Sequence, residues 1–384
     1  MSIADQRFRS LDAVRPVVLL EDPAPETEGD PLAALLGDPT VSEIMVNGPR
    51  RIFVRRGGRT EAAAVRFVDA AHLRRVIDDL LARAGRRVDE ANPVVDARLP
   101  DGTRLNAVVP PIAVDGAMLT IRKKCAATYG IDELIANGTM RRAIAYFLAA
   151  CVRGRLDVVL SGGSGVGKTT TLNVLAQFFP TDERIVTIEE VAELRLPQQH
   201  VLRLESRPEA VAGPAEVTVR DLVRIAHRMR PDRIVVGELR DGAALDLLQA
   251  MSTGHDGTLT TINADSPAEA MHRLETMALL AGPRYPALAI RAELASAVDL
   301  VVHQTRMRDG THRVTQVTEV VGMAGDSVRL QDLFVFDYGA GEDEHGRLRG
   351  GLVYTGLRPH FLDRLAAAGI AVPYGLFGFP VGSA

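Results

Sequence analysis

The sequence predicts an α/β protein, a P-loop domain built on a largely parallel sheet and preceded by a smaller α+β domain. Three observations predict it. Between about residues 140 and 305, short apolar runs alternate with helical patterns. Within that stretch, Gly162-Gly163-Ser164-Gly165-Val166-Gly167-Lys168-Thr169 fits G-x-x-x-x-G-K-[ST], a phosphate-binding loop, and it lies between a strand-like run and a helical one. Upstream, Pro100-Asp101-Gly102-Thr103 is a turn sequence between two strand-like runs.

Taken in order, residues 1–31 read as a tail, because Glu21 to Pro31 is acidic and proline-rich and has little to bury. Residues 32–125 read as the α+β domain. Arg51 to Arg55 suggests a strand closed by Gly57-Gly58. Asp69 is a candidate N-cap for a helix with Leu73, Val76, Ile77, Leu80 and Leu81 on one face. Val94 to Leu99 and Arg104 to Val109 flank the Asp-Gly turn, and Ala117 to Lys123 is a further strand. A linker over 126–139 leads into the P-loop domain, 140–305. Its predicted strands are Leu156–Leu160, Ile185–Ile188, Val201–Leu204, Ile234–Val236, Leu259–Ile262 and Leu300–His303, with a helix from Thr169 to Phe179. Residues 306–384 read as a C-terminal extension with an edge hairpin at Val314 to Val321.

Composition narrows the function classes. Net charge is −4, aromatic residues are 4% and Trp is absent, which argues against a sequence-independent nucleic-acid surface or a base-stacking platform. Cys125 and Cys151 are the only two cysteines, too few for a disulfide framework and without metal-site spacing. The longest uncharged apolar run, Ala143 to Val152, is too short to cross a bilayer, and no signal-peptide core is present. A cytoplasmic setting is expected, with any membrane role passing through partners.

The chemistry centres on the loop. Glycines let backbone N–H groups face phosphate oxygens, and the following helix directs its positive end at the same anion. Lys168 is expected on the β- and γ-phosphates and the Thr169 hydroxyl in a Mg²⁺ shell. Hydrolysis also needs an acid near metal or water. Glu189 and Glu190 leave one strand, and Glu189, nearer the strand end, is preferred. The run Arg233-Ile-Val-Val-Gly-Glu238 has the shape of a Walker B strand, which gives Glu238 a metal-linked or water-positioning role. His255, in a glycine-rich turn, is a candidate γ-phosphate sensor. Arg98, Arg104, Arg122, Arg228 and Arg230 are candidates for charge stabilisation of phosphoryl transfer, beside the plainer reading of a solvated basic face.

Together these segments resemble the secretion ATPase superfamily of type II and type IV secretion, and most of all the tight-adherence (Flp) pilus assembly ATPases. The resemblance rests on Gly-Gly-Ser-Gly-Val-Gly-Lys-Thr-Thr at 162–170, Thr-Ile-Glu-Glu at 187–190, Arg-Met-Arg-Pro-Asp-Arg-Ile-Val-Val-Gly-Glu at 228–238 and Leu-Leu-Gln-Ala-Met-Ser-Thr-Gly-His-Asp-Gly-Thr at 247–258. Glu-Ile-Met-Val-Asn-Gly at 43–48 and Asp-Ala-Arg-Leu-Pro-Asp-Gly-Thr-Arg-Leu-Asn-Ala at 96–107 add to it. It implies a RecA-like fold and a homo-hexameric ATPase motor that takes ATP and Mg²⁺. It also implies inner-membrane platform proteins as partners and a place at the inner face of the cell membrane. ATP contacts fall on 162–170, including Thr170. Glu189, Glu238 and His255 match family catalytic positions, and Arg104 and Arg122 match arginines that reach the nucleotide from the N-terminal domain.

Two departures stand out. Glu189-Glu190 replaces the family's Glu-Asp, and Asn263 replaces a histidine. Asn keeps hydrogen-bonding capacity but cannot become charged. The leading reading is a motor for pilus assembly or protein secretion. Its alternatives are a conjugation-type motor and a nucleotide-gated scaffold with little hydrolysis. A DNA-translocating helicase is disfavoured by charge and composition.

Overall fold

A computed structural model describes residues 29–56, 59–123, 129–207, 215–282, 285–344, 346–372 and 374–377. The acidic stretch at 21–28, Gly57-Gly58 and Cys125 lie outside the described residues. The chain divides into two units, Met1–Ala126 and Ala127–Ala384.

In the first unit, β1 (Val41–Asn47), β2 (Ile52–Arg56), β3 (Arg59–Ala62), β4 (Val94–Arg98), β5 (Arg104–Val108) and β6 (Met118–Arg122) form an antiparallel sheet in the order β3-β2-β1-β6-β5-β4. The Asp-Gly hairpin forms as the sequence predicts: Gly102 has φ 94° and Asp101 Oδ1 accepts from the Thr103 N–H at 2.8 Å. Asp69 caps the helix Ala70–Arg83, accepting from His72 N–H at 2.7 Å. That helix buries Leu73, Val76, Ile77, Leu80 and Leu81 against Ile44, Val54, Leu105 and Ile121 of the sheet. On the other face, Arg98, Arg104 and Arg122 stand opposite one another across β4, β5 and β6.

In the second unit, nine strands lie in the order β15-β14-β13-β12-β7-β11-β10-β8-β9. The six parallel strands are β7 (Val158–Gly162), β8 (Ile185–Glu189), β9 (Val201–Glu205), β10 (Arg233–Val236), β11 (Leu259–Asn263) and β12 (Leu300–Arg306). β7, β8 and β10 are buried along their whole length, as helices on both faces require. One face carries the helices Arg142–Arg153, Lys168–Ala176 and Leu362–Ala367. The other carries Val219–Arg228, Ala243–Ser252, Pro267–Leu280 and Ala287–Ala297.

β13 (His312–Ala324), β14 (Ser327–Phe336) and β15 (Leu352–Tyr354) continue this sheet antiparallel. The hairpin expected at Val314 to Val321 is therefore corrected to one long strand, whose turn lies at Gly325-Asp326. The glycine at 322, with φ 113°, marks a bulge inside the strand rather than its end. Phe334, Phe361 and Phe377 surround Phe147, with ring centroids 5.4, 6.2 and 5.5 Å from it, so the few aromatic residues concentrate where the C-terminal segment covers the core.

Candidate functional site at the phosphate loop

β7 delivers the loop. It ends at Gly162, and the helix Lys168–Ala176 starts five residues later from Gly167 in the left-handed region, φ 94°. A Cβ on Gly162 would lie 2.2 Å from the Gln304 carbonyl oxygen, so that glycine is dictated by the neighbouring strand as well as by phosphate access. Ser164 and Gly165 are exposed, while Val166 is buried and anchors the loop. The helix adds its unpaired N-terminal N–H groups and positive dipole end to the same seat.

Lys168 is buried, and its ammonium donates to Gly162 O at 3.0 Å, Gly163 O at 2.7 Å and Asn263 Oδ1 at 2.6 Å. Burial pulls its pKa below the ordinary lysine value, with the Glu238 charge opposing. Asn263 ends β11 directly opposite Gly162 and donates through Nδ2 to Glu238 Oε1 at 2.5 Å. Glu238 follows β10, and its other oxygen accepts from Arg240 at 3.1 Å. Arg240 also donates to Glu190 Oε2 at 2.8 Å. One connected polar chain thus runs Lys168–Asn263–Glu238–Arg240–Glu190 along the carboxyl ends of the parallel strands, where open α/β sheets bind ligands.

The two strand-end glutamates part ways. Glu190 is exposed and joins that chain. Glu189 is buried, with Oε1 accepting from the Glu193 and Leu194 N–H groups at 2.9 Å each and Oε2 left without a partner. Burial pushes its pKa up to about 7 against the pull of those two hydrogen bonds. Such a carboxyl exchanges protons near neutrality, the property a general base needs.

A family model described as "Type II/IV secretion system protein" matches residues 26–330. The chain belongs to this family of secretion ATPases. A Mycobacterium tuberculosis protein named for conjugal transfer is 37% identical over 318 residues, covering 81% of this chain and 90% of its own. The type IV secretion system protein VirB11 of Brucella suis biovar 1 is 32% identical over 312 residues, covering 74% and 86%. The crystal structure of the Yersinia pseudotuberculosis ATPase DotB, 16% identical, matches with a TM-score of 0.53 over 73% of this chain and 75% of that one, which speaks to fold alone. As a P-loop secretion ATPase, the chain binds nucleotide and hydrolyses ATP. The superfamily resemblance holds, but these relatives carry conjugal-transfer and type IV secretion names rather than pilus ones.

Not every predicted site residue of the secretion ATPase meets at the loop. His255 does not. It precedes β11 while Asn263 ends it, and a five-residue strand at ~3.3 Å per residue separates them by roughly 17 Å. Its ring instead packs edge-on to His227 at 4.4 Å, with Nδ1 buried and unpartnered. In this fold His255, expected as a γ-phosphate sensor, lies at the amino ends of the strands rather than beside the loop. Arg228 and Arg230 precede β10 and share that edge. Arg104 and Arg122 belong to the first unit, both exposed on its sheet.

Two residues escaped the sequence reading. Arg240 lies in no motif, and only the fold brings it onto both Glu238 and Glu190. Gln304 stands at the far end of the chain's parallel strands, and nothing local distinguishes it from any polar strand residue. Arg233 opens the Walker-B-like run but is wholly buried, donating to Glu183 Oε2 at 2.5 Å and Val152 O at 2.7 Å, so it serves the fold.

Proposed function

We propose that this secretion ATPase is the cytoplasmic motor of a conjugation-type or type IV secretion machine, working as a homo-hexamer at the inner face of the membrane beside membrane-embedded partners. Of the two machines the sequence suggests, the relatives' names favour this one over tight-adherence pilus assembly. No described helix is long and apolar enough to cross a membrane, so the reading places membrane contact with partners.

The observation that carries a motor rather than a silent scaffold is the hydrogen-bonded path from Lys168 through Asn263 to Glu238. It ties the phosphate lysine to the carboxylate that would orient water. ATP would draw Lys168 from the Gly162 and Gly163 carbonyls and from Asn263 onto its phosphates. That shift frees Asn263 to hold Glu238 in a second arrangement, so occupancy is read at the catalytic acid. Asn263 performs this by hydrogen bonding alone, without a histidine's charge.

Mg²⁺ fits the loop as a companion of ATP. Thr169 stands half-buried in the first helical turn, and Glu238 follows β10, separated from the loop strand by β11. Among the described residues no cluster of three or more His, Cys, Asp or Glu could hold a metal, and in nucleotide sites phosphates and water supply most of the Mg²⁺ ligands. The ion would neutralise phosphate charge; Thr169 would contribute its hydroxyl and Glu238 would act directly or through water.

The test is ATP turnover by the full chain beside Glu238→Gln, with size measured with and without ATP. The motor reading expects steady hydrolysis by the wild type, retained binding without turnover in Glu238→Gln, and an ATP-favoured ring. Tight binding with no turnover above that of Lys168→Ala would make it a scaffold. Deleting the gene in its host decides the machine: loss of DNA or protein transfer supports this reading, and loss of pili alone returns it to pilus assembly.

A further inference from the structure

Gln304 reaches both the phosphate loop and the helix behind it. It sits on β12, directly opposite Gly162 in the parallel pairing with β7, and is 3% exposed. Its Nε2 donates to Val166 O at 2.7 Å, and its Oε1 accepts from the Thr171 hydroxyl at 2.9 Å. Its backbone carbonyl occupies the space a Gly162 Cβ would need, and its Nε2 lies 3.1 Å from where a Gly167 Cβ would stand. The preceding residue, His303, faces the other side of the sheet and meets Ser161 Oγ at 2.9 Å, so adjacent residues of β12 grip the loop strand from both faces. The pairing with β13 slips by one residue at this point, between His303 and Gln304. Bulges of that kind re-aim side chains beside functional sites.

We propose that Gln304 is a positioning residue for nucleotide binding, holding the phosphate loop in the shape that receives ATP. In a trans peptide the C=O and N–H lie in one plane and point in opposite directions. Fixing the Val166 carbonyl toward Gln304 therefore turns the Gly167 N–H the other way, into the anion seat. The second hydrogen bond, from Thr171, ties the first turn of the helix to the same amide, so that loop and helix end move as one. Gln suits the task because one amide offers a donor to a carbonyl and an acceptor to a hydroxyl. The proposal rests on nucleotide binding by the family and is independent of which machine the motor drives.

The test uses the full chain with a fluorescent ATP analogue and with steady-state ATP turnover. Gln304→Leu loses both hydrogen bonds and leaves the Val166 carbonyl unpaired, so its Kd and KM for ATP should rise roughly ten- to hundredfold. Its kcat at saturation should stay within about threefold of wild type, because the loop is organised once ATP fills it. Gln304→Glu keeps length and acceptor but sets a carboxylate against the Val166 carbonyl. Its ATP affinity should also fall, and should recover relative to wild type as pH drops from about 8 to about 6 and protonation restores a donor. A merely structural role would lower the melting temperature and the active fraction while leaving the KM of the surviving enzyme unchanged. Wild-type ATP affinity in folded Gln304→Leu or Gln304→Glu overturns the proposal, and Gln304→Glu decides alone if the leucine variant does not fold.

Discussion

Asn263 donates to Glu238 Oε1 at 2.5 Å while its own carbonyl oxygen accepts from Lys168. The amide thus satisfies a cation on one side and an anion on the other. Removing it leaves Glu238 with Arg240 alone and Lys168 with two backbone carbonyls. Asn263→Ala should lower kcat on the order of ten- to a hundredfold, the range expected when a half-buried charge-assisted hydrogen bond at the site is lost. The KM for ATP should not rise, because Lys168 has one fewer partner to leave. Steady-state turnover against ATP concentration checks both, and an unchanged kcat would remove Asn263 from the coupling path.

The raised pKa of Glu189 makes two linked predictions about pH. Between the ordinary value of 4.5 and about 7 the folded state holds a proton that the unfolded chain releases. Glu189 therefore contributes stability that is fully present below about 4.5 and is lost as pH rises through about 7. The swing is up to about 3 kcal/mol, taking about 1.4 kcal/mol per pKa unit. Glu189→Gln should raise the melting temperature more at pH 8 than at pH 5. If Glu189 is the general base, wild-type kcat should climb with an inflection near 7, and the glutamine variant should lose both that inflection and most turnover. A flat wild-type profile from pH 6 to 8 would assign Glu189 to the fold alone.

These residues show what was legible in the sequence and what was not. β7 and its loop could be read because an all-apolar strand, a glycine run and a helix occur in unbroken order. Lys168 and Glu238 followed because each belongs to a local pattern at a strand end. β3 could not be read, since all four of its residues are exposed and leave no alternation. The hairpin expected at Val314 to Val321 is instead part of the single strand β13, whose partner strand begins only after Gly325-Asp326. Arg240 and Gln304 were invisible for a different reason. Their roles depend on pairing between strands distant in sequence, and His255 misled for the mirror of it, since a motif gives order along the chain but not which end of a strand a residue occupies.

Arg98, Arg104 and Arg122 stand directly opposite one another across β4, β5 and β6, and Glu43 of β1 faces Arg122 at the end of the row. Arg104 and Arg122 are exposed on that face and are candidates for charge stabilisation of a phosphoryl group. Arg104→Ala and Arg122→Ala should therefore reduce kcat at least about tenfold while changing folding stability by less than about 1 kcal/mol. Turnover measured beside urea unfolding separates the two quantities. Full activity in both variants would leave the row as a solvated basic face.

Arg233 should show the opposite signature. Its guanidinium is fully buried, lies over the Phe179 ring at 4.4 Å and shares the Glu183 carboxylate with Arg155, which donates to Glu183 Oε1 at 2.5 Å. Taking one partner from a buried pair strands the other in low dielectric, at a cost of about 3–5 kcal/mol. Arg233→Ala should thus lower stability by that order in denaturant unfolding, with Glu183 left to the half-exposed Arg155. Arg233→Lys should recover only part of it, because an ammonium cannot reach Glu183, Val152 O and the Phe179 face together. The nucleotide site stands at the other end of β10, so ATP affinity measured well below the melting temperature should match wild type. A loss of affinity without a loss of stability would mean that Arg233 acts through the site, and the division between the two ends of β10 would then fail.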